Sequence, residues 1–453
     1  MMRNIFSLVL VATISAGLVA EERPTSPTVT AQIVHDATTA PGAPTLSLNE
    51  AVEIALAKNP AIQSSAHTVS AQRAKAPQAR AFPDPTFGVG WMGNIRPFSV
   101  QTGDPSSYRS VSAMQMLPFP GKRSLRGQIA GKEADASQWD LQEVRRRVVS
   151  DVKAAYYDYW YYDKAIKTTK DNHDLLTQLS QIAEVRYRVG KGMQVDVLRS
   201  QVELSMLLQK LTTLEQQRAT AQARLNTILA RDPDSPLAPA ADVTGPSPLN
   251  YSLEELYRLA RENDPEYQRM QRMVERNQLA MNLAHKDYLP DLSVAYMYEQ
   301  RPAMPDMNGF TFTVNIPIFY KSKQREEVRQ AKEEELAASS ARDNRQNELY
   351  FELKQNFLAA KASENLLTLF SQGVVPQSSL ALESSLSAYQ VGNVDFLTLI
   401  GNFTTVLNYQ TDYYRELANY QTSLARIEAV TGADLTSAQP MPEAPSVPSP
   451  EKK

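Results

Sequence analysis

Several kinds of residue in this 453-residue chain have types and spacings that could do chemistry. Met92, Met114, Met116, Met297, Met304 and Met307 gather in or beside two alternating stretches. Thioethers suit soft cations such as Cu(I). Unbranched Met more commonly fills irregular packing, so no metal ligand is assigned. Asp196 and Asp395 each follow a Val-Gly reversal and precede a helical pattern. A carboxylate there caps the helix and complements its dipole. Gly88-x-Gly90-x-x-Gly93 matches a dinucleotide fingerprint. The helix that should follow is missing, because Asn94-Ile95-Arg96-Pro97 is turn-like, and the match is rejected. His35, His67, His173 and His285 are dispersed without ligand spacing. The chain has no Cys, which excludes disulfides, thiolate metal sites, Cys nucleophiles and lipidation at an N-terminal Cys. No nucleophile, base and acid converge in the sequence, so neither catalysis nor a cofactor is assigned.

The net charge of −3 gives no sign of nucleic-acid binding. A mean hydropathy of −0.39 excludes a many-helix membrane protein. Residues 1–20 read as a secretory signal, with Arg3 ahead of the apolar Ile5–Val19 and cleavage after Ala20. Residues 21–45 form a Pro-rich arm. Beyond the signal no apolar run reaches the ~20 residues of a spanning helix, so any membrane role falls to strands.

Two strands are clearest at 292–300 and 309–316. Leu292, Val294, Tyr296 and Tyr298 alternate with Ser293 and Ala295, and Phe310, Phe312, Val314 and Ile316 with Thr311, Thr313 and Asn315. A poorer pair is expected at 86–95 and 108–117. The helices around them are very long. Leu141, Val144, Val148, Val152, Ala155, Tyr159, Tyr162 and Ile166 step by three or four, which predicts a coiled-coil seam. The return helix carries Leu204, Leu207, Leu211, Leu214, Ala221, Leu225 and Ile228, interrupted by Arg218. The Tyr156–Tyr162 aromatic cluster is expected to pack helix on helix.

The programme then repeats. Ser47-Leu48-Asn49-Glu50 matches Ser252-Leu253-Glu254-Glu255, and Asn59-Pro60 matches Asp264-Pro265. Phe82-Pro83-Asp84 matches Leu289-Pro290-Asp291, and Pro118 with Lys122 matches Pro317 with Lys321. Tyr187-x-Val189-Gly190 matches Tyr389-x-Val391-Gly392, and Ala223-Arg224-Leu225 matches Ala425-Arg426-Ile427. Six correspondences in one order indicate an internal duplication. The expected domains are repeats at 46–231 and 251–435, a Pro-rich linker at 232–250 and a disordered tail at 436–453. The second return helix is expected to bury Phe396, Leu399, Phe403, Val406, Tyr413, Leu417, Tyr420, Leu424 and Ile427.

The fold class is therefore mainly α with a small β part. Four strands cannot close a barrel, and an open edge cannot sit in lipid. Closed membrane barrels need about 8 strands, so several chains must pool theirs. The helices are charged on every face but the seam and must project into water.

At this point the chain resembles the TolC-like outer-membrane efflux channel family. The likeness rests on Leu46–Pro60 (LSLNEAVEIALAKNP), on FPDP and YLPDL before the strands, and on YRVGKGMQVDVL with AYQVGNVDFLTL at the reversals. It covers about residues 46–435. It implies a homotrimer in the bacterial outer membrane, with a shared 12-stranded β-barrel and a periplasmic α-barrel of duplicated helical hairpins. It also implies a periplasmic adaptor and an inner-membrane pump as partners. Leu117–Lys122 (LPFPGK) is similar to members that accompany heavy-metal pumps of the resistance-nodulation-division type. By resemblance the reversals form the periplasmic tip, where Val189, Gly190, Val391 and Gly392 would meet the adaptor. Asp395, Tyr389 and Asp196 would form the gate, a carboxylate ring about the axis favouring cations. The second reversal departs from the family, being short and carrying Thr398 where a second Asp is expected. The expected function is a passive exit duct. The alternatives are the outer-membrane component of a type I protein secretion system, or a periplasmic coiled-coil scaffold without a pore.

Overall fold

The computed structural model describes residues 45–95, 99–243, 245 and 248–435. The expected signal peptide, all but the last residue of the arm, and the tail lie outside the described residues.

Each repeat opens with a capped pair of helices. Helix α1 (Leu48–Lys58) starts where the Ser47 hydroxyl accepts the Glu50 N–H. In its counterpart α5 (Leu253–Asn263), Ser252 and Glu255 exchange both hydrogen bonds of a capping box. Each stops before an X-Pro pair that starts the next helix. Asn59 accepts the Ala61 N–H ahead of α2 (Pro60–Arg80), and Asp264 accepts the Tyr267 N–H ahead of α6 (Pro265–Lys286). Proline suits a first helical turn because its missing N–H would be unsatisfied there anyway.

The strands follow these helices. They are β1 (Thr86–Met92), β2 (Tyr108–Leu117), β3 (Asp291–Gln300) and β4 (Met307–Asn315), in one antiparallel sheet of order β1-β2-β3-β4. The expected bounds shift slightly. β1 stops at Met92 rather than residue 95, because Asn94 bridges back to Ser99. Ile316 falls outside β4, just before Pro317. The central pairing joins the two repeats, with Leu117 opposite Leu292 and Arg109 opposite Gln300. Pairing fixes the faces: Phe87–Ala113–Tyr296–Phe310 share one side, and Gly88–Ser112–Met297–Gly309 share the other.

Helix α3 (Lys122–Arg188) has 67 residues, about 100 Å at 1.5 Å per residue. Its return partner α4 (Gln194–Ile228) packs along it. The middle of α3 buries more than the expected seam. Tyr156, Tyr157, Trp160 and Tyr161 are buried as well, because helices from both repeats surround this stretch. Trp160 meets Tyr414 edge-on, with ring centres 5.8 Å apart. The Tyr156 hydroxyl donates to Leu46 O at 3.0 Å, pinning the repeat's start and the linker beside it, where Leu46 pairs with Ala240. Arg218, the break in the α4 seam, is absorbed by an ion pair with Asp163 and a hydrogen bond to Tyr159.

In the second repeat α7 (Gln324–Leu369) and α8 (Val375–Val391) are separated by a π-helical turn over Phe370–Val374. A continuous helix is expected from the sequence. Pro376 has no N–H to give, and its ring crowds the Gln372 carbonyl, so the ladder loosens just before it. Helix α9 (Phe396–Thr431) buries all nine of its expected seam residues.

Candidate gate at the helix reversals

Both reversals are built in the same way. Gly190 and Gly392 adopt left-handed φ angles of 73° and 88°. At the first, Lys191 N bonds Arg186 O and Gly190 N bonds Tyr187 O. At the second, Asn393 N bonds Ala388 O and Gly392 N bonds Tyr389 O. This is the Schellman closure, in which a glycine without Cβ strain satisfies the last carbonyls of the helix. Val189, Gly190, Val391 and Gly392 are all solvent-exposed.

The two reversals touch through three side chains. Tyr389 is 3 % exposed, and its hydroxyl donates to Asp196 at 3.5 Å, in the first turn of α4. Its ring lies 5.4 Å from that of Phe396. The Arg186 guanidinium sits over the same ring, 4.6 Å from its centre. Arg186 also donates to the carbonyls of Tyr389, Gln390 (3.0 Å) and Lys191 (3.2 Å). Burial pushes the Tyr389 phenol above its ordinary range, and the nearby Asp196 charge adds to the effect.

Asp395 stands apart. It caps α9 by accepting the Thr398 N–H at 2.9 Å, and its carboxylate is exposed. Hydrogen bonding from Thr398, hydroxyl and backbone N–H, holds its pKa below the usual carboxylate range. The structure therefore joins Tyr389 to Asp196 and leaves Asp395 facing solvent. Arg186 escaped the sequence reading. Its only signal is position, three residues ahead of the Val189-Gly190 turn.

Lys122 is another residue the sequence undervalues. Its side chain is 4 % exposed and pairs with Asp291 (3.0 Å) and Asp287 (3.2 Å), while donating to Leu289 O. It ties the start of α3 to the start of β3. Its repeat counterpart, Lys321, is exposed.

Long helical hairpins, an open four-stranded sheet and two paired reversals define the subunit of an outer-membrane channel. The chain belongs to the outer membrane efflux protein family, which it matches over residues 51–231 and 256–433. Among known relatives, Protein CyaE of Bordetella pertussis is 24% identical over 301 residues. That match spans just under two thirds, 64%, of each chain. Two solved structures share the fold. The outer-membrane channel OprN superposes with a TM-score of 0.72 at 17% identity, covering 86% of this chain and 90% of that one. The outer membrane protein VceC of Vibrio cholerae gives 0.72 at 15% identity, covering 86% and 96%. Among the described residues no helix is long and apolar enough to cross a membrane. The chain resides in the outer membrane.

Proposed function

We propose that three copies of this chain form the passive exit duct of a tripartite efflux system. The observation that carries this is the sheet. β1 and β4 are edge strands, and one face presents Phe87, Val89, Phe310 and Phe312, between 69 and 88 % exposed. An open edge in lipid leaves backbone groups unpaired, at several kcal/mol each. Pairing β4 of one copy with β1 of the next removes every edge and turns the aromatic face to lipid. Three sheets of four strands supply the 12 strands of a closed barrel. The helices carry a matching apolar surface. Val195, Leu198, Val202 and Met206 form an exposed stripe on α4, and Leu358 and Leu369 on α7 and Leu380 on α8 are exposed as well. Such a surface suits lateral packing against neighbouring copies.

In this duct the reversals form the periplasmic end. Tyr389, Asp196 and Arg186 hold the two hairpins of each chain together, and the carboxylates of Asp395 from three copies ring the axis. The exposed Val189-Gly190 and Val391-Gly392 turns receive a periplasmic adaptor, which connects the duct to an inner-membrane pump. The likeness of Leu117–Lys122 favours a pump of the resistance-nodulation-division type. Energy for transport comes from that pump. The test is single-channel recording of detergent-purified protein in planar bilayers. Discrete, cation-selective steps from a trimer are expected. A correctly folded protein that stays monomeric and soluble without detergent would overturn the duct.

A further inference from the structure

The inward face of the sheet, opposite the aromatic one, has a composition that packing does not account for. Its long apolar side chains are Met92, Met114, Met116, Met297 and Met307, each between 37 and 52 % exposed. Among the described strand residues this face has no Leu, Ile, Val, Phe or Trp, whereas the opposite face is rich in them. Had this face needed only apolarity, those residue types would share it. What sets Met apart from them is its sulfur.

The register arranges four of these sulfurs in a line. Met116 lies two residues beyond Met114 on β2. Met114 pairs with Ala295 while Met297 pairs with Ser112, so Met114 and Met297 are diagonal neighbours. Met297 pairs with Gly309 while Met307 pairs with Glu299, so these two are diagonal as well. Diagonal neighbours stand about 7–8 Å apart, within reach of long side chains. The residues between them are Ser112 and Ala295 at the first step and Gly309 and Glu299 at the second, and a side chain added at Gly309 would meet open space. Only short side chains flank the Met114–Met297 step, and Glu299 flanks the Met297–Met307 step with a carboxylate.

We propose that Met116, Met114, Met297 and Met307 form an oblique thioether ladder that takes up soft monovalent cations, Cu(I) or Ag(I), along the inward face. This rests on the duct reading, which makes that face the lumen. Two adjacent thioethers match a soft d¹⁰ ion that accepts few ligands, and harder cations prefer carboxylate or imidazole. Among the described residues no group of three or more His, Asp and Glu side chains could hold such a harder ion. Exposed thioethers on successive strands let a cation pass from one pair to the next without a binding step deep enough to trap it.

The test is calorimetric titration of the detergent-purified protein with silver nitrate in chloride-free buffer. The comparison is with a Met114→Leu/Met297→Leu double variant and with Met193→Leu at the first reversal. Leu keeps the size and apolarity of Met and removes the sulfur. Saturable Ag(I) binding is expected in the wild type, displaced by Cu(I) and unaffected by Zn(II). The double variant should bind at least about tenfold more weakly, a loss of 1.4 kcal/mol or more, and Met193→Leu should bind as the wild type does. Equal affinity in the double variant, or no saturable binding in the wild type, overturns the ladder. Potassium chloride conductance of the same preparations judges the duct separately, and normal conductance in the double variant shows that it is folded.

Discussion

At the scale of single residues, Tyr389 and Asp395 make separable predictions. Tyr389→Phe keeps the ring that lies against Phe396 and Arg186 and removes the hydroxyl donated to Asp196. At 3.5 Å the bond is long and contributes at most about 1 kcal/mol, so the closed state should weaken by up to several-fold per chain, read as a higher open fraction in single-channel traces. The bond also predicts a pH dependence. The Tyr389 phenol is raised above its ordinary 10.0, so its contribution is complete below pH 10 and is lost as pH rises through the folded-state value. Opening should therefore increase only above pH 10, and Tyr389→Phe should abolish that dependence. Opening that rises between pH 6 and 9 instead would assign the gate to another group. Asp395 has two roles that two variants distinguish. Asn caps a helix as well as Asp does, whereas Ala costs about 1 kcal/mol. If the carboxylate also selects ions, Asp395→Asn and Asp395→Ala should reduce cation selectivity equally, with only Ala lowering thermal stability. Selectivity unchanged in both leaves Asp395 as a cap alone.

At the scale of elements, one buried cation contributes to the join between sheet and helices. Lys122→Met fits the same space and removes the cation from Asp287 and Asp291, leaving Asp291 the Phe119 N–H. The expected cost is about 1–3 kcal/mol, read as a lower midpoint in thermal denaturation followed by circular dichroism. Lys321→Met, at the equivalent and exposed position, should change nothing measurable. This contrast marks the limit of what the sequence could tell. The duplication makes Lys122 and Lys321 look alike, because pattern records residue type and order; the carboxylates that bury one of them come from a different part of the chain. Periodic apolar seams were legible, as the nine residues of α9 show, because burial of one helix face leaves a direct trace in spacing. The crowding of α3 was not, since Tyr and Trp on several faces reflect how many neighbours surround a helix. The π-turn before Pro376 was hidden as well, because one loosened turn leaves the polarity pattern around it intact. Arg186 reads as an ordinary solvated charge until the fold sets it over the Tyr389 ring. The methionines were visible as a cluster, and only strand register turns a cluster into a line.

At the scale of the whole molecule, the chain is incomplete by physical necessity. Its sheet has two free edges, and α4 and α8 carry apolar side chains that the single chain leaves exposed, with Leu380 64 % and Val202 57 % accessible. Burying a Leu or Val side chain contributes about 1.5–3 kcal/mol, and in a closed ring every contact occurs three times. The stripes and the sheet edges should therefore cooperate: neither the barrel nor the helical tube closes unless the other does. Val202→Glu and Leu380→Glu each place a charge in the seam without touching the folded interior of the chain. Each should leave helical content unchanged by circular dichroism and shift the detergent-solubilised protein from trimer to monomer in light scattering. Because the edges of β1 and β4 would then be unpaired, these variants should also aggregate when detergent is diluted. A variant that keeps the trimer with Glu at either position would show that the stripe faces water in the assembly. The lateral contacts would then have to be sought on other faces of the helices.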